Sequence, residues 1–264
     1  MNNHLREVLS RQEFVLATRI NSTWPLITEI VGSSGLYDYV EFLAEYAPFD
    51  HYDLENIARA AELHNIGTIA KVDYANRTYV AQKALASGIN GILFTDHTAA
   101  DEVRETIRSI SPATPEYGGS LGFVNRRWIR NADLSSQMDY AKDIAQTVIG
   151  FMIEKKAAVD NIEEICQVPG VDFIQFGPAD FSMNSGFDKN KNEAEVKAAE
   201  RKVIETALKY GVSPRVEIGH AKDAEYYRSL GVKHFALGSE LRILKDFWKG
   251  QGTELKALLR ASAD

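Results

Sequence analysis

The sequence predicts a single-domain (β/α)8 barrel, and three observations carry that prediction. Eight short apolar runs alternate with helix-like segments from end to end. Most of these runs end in a polar or charged residue, as strands do when their C-terminal ends line a site. The Gly-rich turn of a nucleotide-binding sheet is absent: the first run is followed by Asn21, Ser22 and Thr23, and neither GxGxxG nor GxxxxGK[ST] occurs. That weighs against the runner-up, an open doubly wound sheet. Residues 1–264 read as one domain, without linker, low-complexity segment or internal repeat.

In order, residues 14–20 are the first strand. A helix over 24–34 follows, with Pro25 tolerated in its first turn. Strand two is 39–43 and its helix 54–64. Strand three is 66–72, followed by a helix over 78–87 that Gly88 closes. Strand four is 89–94 and its helix 99–110. Residues 111–133 are irregular, with Pro112, Pro115, Gly118, Gly119 and Gly122, and a loop this long in a compact domain is usually functional. A helix over 134–145 leads to strand five, 148–153, then a helix over 158–168 and strand six, 171–176. A polar loop, 183–192, precedes the helix 193–210. Strand seven is 214–218, with a helix at 222–230. Strand eight is 234–237, and two helices, 239–248 and 253–261, finish the chain.

Apolar residues make up 45% and charged residues 25% of the 264, ordinary for a globular protein. The 30 Lys and Arg against 37 Asp and Glu give a net charge of −7, which argues against nucleic acid and anionic membranes as partners. Arg126, Arg127 and Arg130, with Trp128, form a basic aromatic stretch, too small to argue nucleic acid in an acidic protein. Cys166 is the only cysteine, so no intrachain disulfide forms, and its apolar-periodic position reads as a buried inert thiol. No secretory signal and no apolar run near the roughly 20 residues of a membrane span is present. The expected location is the cytoplasm.

The predicted strand ends carry Arg19, Glu45 and Tyr46, Lys71, Asp96 and His97, Glu154, Asp180, Glu217, and Ser239 with Glu240. Acids dominate, and Arg and Lys are interspersed. The combination suits a divalent cation held by carboxylates beside an anionic substrate held by a cation. Individually, Asp96, His97, Glu217 and Glu240 read as helix caps or solvated loop residues. His97 and His220 read as surface or capping histidines, and His51 and His64 belong to the second helix or its entry. Trp24 and Trp248 read as packing helices on the barrel or on a neighbouring subunit.

The stretch GVDFIQFGPADFSMNSG, preceded by FMIEKKAAVDNIEEICQVPG, resembles the signature of the HpcH/HpaI aldolase family. Fainter likeness covers most of the chain, at EYAP, ADEVR and LGSE. The resemblance implies a metal-dependent (β/α)8 barrel, usually hexameric with C-terminal helices exchanged between subunits, that splits or makes 4-hydroxy-2-oxo acids with pyruvate as enolate partner. It implies that Glu154 and Asp180 hold the metal, Mg²⁺ or Mn²⁺. It also implies that the backbone of Gly177, Pro178 and Ala179 lies against the pyruvate carboxylate. Such an ion stabilises an enolate as a Lewis acid, and N–H groups opening a helix hold a carboxylate.

The chain departs from the family pattern around those residues. Where the family has DGEHAP after strand two, this chain has Leu43, Ala44, Glu45, Tyr46, Ala47 and Pro48, so Tyr46 stands at the His position and Leu43 at the Asp position. Lys71 replaces the usual Arg on strand three, Met152 the usual Gln two residues before the metal Glu, and Arg19 a common Trp. The candidate catalytic residues are therefore Lys71, Tyr46, Glu45 and Arg19. Lys71, with Arg19, would steady developing negative charge, Glu45 would orient water on the metal, and Tyr46 would serve proton transfer or merely fill space beside Leu43. An imine-forming Lys71 is disfavoured, because a barrel keeping both metal acids has no need of one.

The expectation is a metal-dependent carbon–carbon lyase acting on a 4-hydroxy-2-oxo acid, with a 2-oxo acid such as pyruvate and an aldehyde as partners, in a homo-oligomer, hexamer or trimer. The alternatives are a related enolate enzyme (condensation, decarboxylation or isomerisation) and a barrel that binds a metal–oxoacid complex without turnover.

Overall fold

The computed structural model describes residues 3–11, 13–124, 127 and 136–261. Its centre is a closed barrel of eight parallel strands in sequence order. The strands are β1 (Val15–Ile20), β2 (Tyr39–Phe42), β3 (Gly67–Val72), β4 (Gly91–Phe94), β5 (Val148–Ile153), β6 (Phe173–Phe176), β7 (Ser213–Ile218) and β8 (His234–Ser239). β8 closes on β1 through pairs such as Ala17↔Ala236. Most strand residues are buried because parallel strands are covered on both faces. Outward residues such as Val40, Ile92, Phe151 and Ile174 join the helices in the main core.

The helices are α1 (His4–Ser10), α2 (Pro25–Ser33), α3 (His51–Leu63), α4 (Arg77–Ser87), α5 (Ala100–Ile110), α6 (Gln137–Ile144), α7 (Lys156–Asp160), α8 (Ile162–Cys166), α9 (Pro178–Asn184), α10 (Glu193–Tyr210), α11 (Ala224–Ser229) and α12 (Glu240–Ala261). α1 plugs the N-terminal end of the barrel. Leu5 and Val8 join the inward residues Ala17, Tyr39, Ile69 and Phe173 in one cluster. Asn3 donates its amide to the Asn90 and Gln146 carbonyls at 2.9 Å each, and Arg6 pairs with Asp172. With the bottom sealed by apolar side chains, the opening lies at the C-terminal strand ends.

Several expectations are corrected. The helix expected over 158–168 is two short helices, α7 and α8, meeting at Asn161. The chain after β6 enters α9 at Pro178, seven residues that include the start of the stretch expected as loop. α3 starts earlier than its apolar period suggests, because Asp50 caps it, accepting from the Tyr52 and Asp53 backbone N–H groups at 2.7 and 3.0 Å. A 3₁₀ turn, Ala221–Asp223, opens the segment that ends in α11. The two final helices are one, α12, which runs through Gly250 and Gly252 at a cost of about 1 kcal/mol each relative to Ala. Trp24 and Trp248 are 60% and 66% exposed, so neither packs on this chain's own barrel. Of the basic stretch only Arg127 is described, and it pairs with Glu62 at 2.7 Å. Among the described residues no helix is long and apolar enough to cross a membrane.

Candidate active site

The C-terminal mouth of the barrel holds two groups of polar side chains. The first spans β2 to α9. Lys71 ends the inward row of β3, almost fully buried, and its ammonium lies 2.7 Å from Glu45 Oε2 and donates to the Tyr46 hydroxyl at 3.0 Å. Glu45 and Tyr46 reach it because the chain turns just after β2, with Glu45 N–H donating to the Lys71 carbonyl at 3.0 Å. Burial alone would lower the Lys71 pKa, but Glu45, Tyr46 and Glu154 outweigh it and push it up. Lys71 is therefore a fixed ammonium at neutral pH. Burial, partly offset by Lys71, pushes the Tyr46 phenol up to about 12, which keeps it protonated at neutral pH. The ring itself is 59% exposed at the mouth, whereas Leu43 beside it is buried.

Glu154 follows β5 and is 2% exposed. Its Oε1 accepts the Asp96 backbone N–H at 3.0 Å. Burial raises its pKa to about 7, with Lys71 and the Asp96 N–H opposing and the charges of Asp96 and Asp180 adding to the rise. Asp96 itself adopts the left-handed region, φ 63°, and its carboxylate holds Lys155 at 2.7 Å. Gly177 packs directly on Glu154: a Cβ there would lie 2.7 Å from Glu154 Cβ and 2.8 Å from Glu154 Oε2. The turn into α9 thus runs against the buried carboxylate, and Asp180 sits in the first turn of that helix with Ala179 exposed beside it.

These residues fit a divalent cation. Two carboxylates near enough for the charge of Asp180 to act on Glu154, one of them raised by burial, make an acceptor set that favours positive charge and leaves positions for water and substrate oxygens. Among the described residues no group of three or more His, Cys, Asp or Glu side chains clusters as a metal site, so the protein's share would be these two acids.

The second group lies across the mouth. Arg19 Nη1 pairs with Glu217 Oε2 at 2.6 Å, and its Nε donates to the Gly238 carbonyl at 3.4 Å. Glu217 accepts from Gln175 Nε2 at 2.6 Å, Gln175 accepts from Arg215, and Arg215 pairs with Glu41 inside the barrel. Arg19 therefore belongs with β7 and not with Lys71. Glu240 opens α12 and, instead of capping a helix, accepts the Ser22 N–H at 2.8 Å and the Asn21 N–H, tying the β1–α2 loop to the end of β8. His220 is exposed at the start of its turn, as expected.

His97 is a correction. It is 1% exposed, with Nδ1 2.8 Å from the Thr95 carbonyl and Nε2 2.7 Å from Thr106 Oγ1, and the rings of Phe94 and Phe151 pack on it. Burial lowers its pKa to about 4. Cys166 is buried, its thiol pushed up to about 12, chiefly by burial, so the inert reading holds. Glu41, Gln175, Arg215 and Lys155 were missed. The first three did carry a signal: a polar residue at an inward position of a buried strand, in YVEF, FIQF and SPRVEI.

Comparison with known proteins identifies the family. A 2-keto-3-deoxy-L-rhamnonate aldolase of Shigella boydii serotype 4 is 27% identical over 212 residues, 79% of this chain and 75% of its own. A hydroxypyruvate/pyruvate aldolase of Paraburkholderia phytofirmans is 24% identical over 209 residues, covering 78% and 79%. The crystal structure of an HpcH/HpaI aldolase from Desulfitobacterium hafniense superposes with a TM-score of 0.86 at 22% identity, covering 96% of each chain. The family model for HpcH/HpaI aldolase/citrate lyase matches residues 20–246, from the end of β1 into α12, which takes in every residue of the two polar groups of the mouth except Arg19, and the chain belongs to that family.

Proposed function

We propose that the protein is a divalent-metal-dependent aldolase that cleaves or forms a 4-hydroxy-2-oxo acid, with pyruvate or a close 2-oxo acid as enolate partner and an aldehyde as acceptor. The carrying observation is the packing of the Gly177 turn on the buried Glu154, with the Lys71 ammonium close enough to lower the Glu154 pKa. The names of the aldolase relatives support the substrate class. Glu154 and Asp180 would hold Mg²⁺ or Mn²⁺, which would supply Lewis-acid stabilisation of the enolate. The backbone of Gly177, Pro178 and Ala179 would seat the 2-oxo acid carboxylate at the start of α9, where the helix dipole adds to the N–H groups.

In the cleavage direction the 4-hydroxyl loses its proton and the C3–C4 bond breaks. Its electron pair becomes the C2–C3 double bond of the enolate, and negative charge moves to the 2-oxo oxygen. The aldehyde leaves, and C3 then takes a proton. Lys71 faces the developing charge as a permanent ammonium, which favours enolate stabilisation over imine formation. Tyr46 relays the hydroxyl proton toward Glu45, whose carboxylate Lys71 holds in place. We further propose a homo-oligomer, a hexamer or trimer, formed by exchange of α12, since that helix buries none of its residues on its own barrel.

The test is methyl-proton exchange of pyruvate in deuterated water, followed by NMR with Mg²⁺ or Mn²⁺. Metal-dependent exchange is expected, lowered about a hundredfold or more in Glu154→Gln and Asp180→Asn, the range for removing an electrostatic contact to developing charge. Wild-type protein that binds metal and gives no exchange would sink the proposal.

A further inference from the structure

The charges of Asp96 and Asp180 both act on the buried Glu154, so three acids share this part of the mouth. Two of them are the proposed metal acids. The third, Asp96, lies just past β4 and gives Glu154 its backbone instead of its side chain. Its left-handed conformation, φ 63°, aims the N–H at Glu154 Oε1, 3.0 Å away, while its carboxylate holds the Lys155 ammonium at 2.7 Å. Asp and Asn are among the few side chains that take this conformation readily. One residue thus touches the buried acid and also the cation that follows that acid in the chain.

Lys155 is placed to act on all three acids. It precedes α7, whose first residue, Lys156, turns to Asp160 of its own helix at 2.6 Å. Burial alone would lower the Lys155 pKa, but Asp96 outweighs it, with Glu154 and Asp180 adding to the rise. The other ammonium of the group, Lys71, is fixed by Glu45 and the Tyr46 hydroxyl and is almost fully buried. Lys155 keeps 24% of its side chain exposed, and a four-carbon stem leaves its ammonium free to move.

We propose that Lys155 is a built-in counter-cation of the metal acids, which stabilises the metal-free site and opposes the divalent ion, and that Asp96 is the positioning residue that holds it aside. This rests on the metal reading above and concerns how tightly the ion is held. Charge sets the sign of each effect. Without a metal, Glu154 and Asp180 repel each other, and an ammonium nearby offsets that repulsion. With a metal in place the same ammonium repels the ion. A lysine that served packing alone would stabilise both states alike, whereas a counter-cation acts on them in opposite directions. Asp96 tempers the competition, because an ammonium paired with its carboxylate is drawn away from the other two acids.

The test is Mn²⁺ binding to the protein alone, by isothermal titration calorimetry, with melting temperatures taken without metal and at saturating Mn²⁺. Lys155→Met keeps the stem and removes the charge. It should bind Mn²⁺ about fivefold more tightly, the order expected for one screened unit charge beside a divalent ion. It should also melt below the wild type without metal, with the gap closing or reversing at saturating Mn²⁺. Lys155→Arg, which keeps the charge, should bind within about twofold of the wild type. Asp96→Asn, which suits the same backbone conformation, should weaken binding about tenfold, because Lys155 then turns to Glu154 and Asp180. In the Lys155→Met background the same change should cost about threefold or less. An equal or larger cost there would make Asp96 a ligand and overturn its positioning role. Should Lys155→Met fail to fold, Lys155→Gln decides. A folded, uncharged variant that binds Mn²⁺ no more tightly than the wild type overturns the counter-cation, while wild-type binding leaves the metal reading standing. A wild type that binds no Mn²⁺ overturns the metal reading, and this assignment with it.

Discussion

Both ring nitrogens of His97 are committed inside the protein, Nδ1–H donating to the Thr95 carbonyl and Nε2 accepting the Thr106 hydroxyl, whose oxygen also takes Arg77 Nε at 2.9 Å. The ring must therefore be neutral, and burial holds its pKa near 4. A pKa depressed below the unfolded value adds stability that is fully present above about pH 6.5 and is lost as pH falls through about 4. By linkage the contribution is at most about 3 kcal/mol. The stability gap between the wild type and His97→Gln, by urea unfolding, should accordingly be larger at pH 7.5 than at pH 4. A gap that stays constant across that range would show that the ring does not titrate as placed. The position matters because His97 anchors the turn in which Asp96, in its left-handed conformation, presents its N–H to Glu154.

At the scale of elements, the turn from β6 into α9 controls how closely the backbone approaches Glu154. Gly177 has φ −105°, which any residue tolerates, so glycine is needed there for space alone. Gly177→Ala would set a methyl 2.7 Å from Glu154 Cβ, and neither the backbone turn nor a fully buried carboxylate yields cheaply. Overpacking of this kind costs about 1–3 kcal/mol, so Mn²⁺ affinity, read by electron paramagnetic resonance, should fall about tenfold or more. Gly252→Ala, in open space on α12, should leave that affinity unchanged. The same turn shows what was legible in the sequence. The apolar run, its break at Gly177 and Pro178, and the acid that follows mark a strand end and a site without any structure. The eight-strand alternation was legible for the same reason, since parallel strands must be apolar on both faces. The helix after Pro178 was not, because Met183, Asn184 and Ser185 read as loop, while the Phe181 contact with Phe176 and Phe187 that makes it helical is tertiary. The ion pair of Glu41 with Arg215 was also out of reach, because it joins β2 to β7 across the barrel, and sequence spacing carries no information about such a contact.

For the whole molecule, α12 sets the problem that the barrel leaves open. Its 22 residues extend about 33 Å, yet none is buried. Ile243, Phe247, Trp248, Leu255 and Leu259 are each between 57% and 66% exposed. An apolar surface on that scale is costly to leave in water, at about 25 cal/mol per Å², and is the mark of an interface. A second copy of the chain offers matching apolar surface in the exposed Trp24, Ile30 and Leu36 around α2. Light scattering coupled to size exclusion should therefore report an assembly larger than the 29.4 kDa chain. The double substitution Phe247→Glu with Trp248→Glu should reduce it to monomer, with circular dichroism unchanged because the barrel core lies elsewhere. A wild type that runs as a monomer at micromolar concentration would defeat the assembly argument, and the exposed face of α12 would then need another occupant.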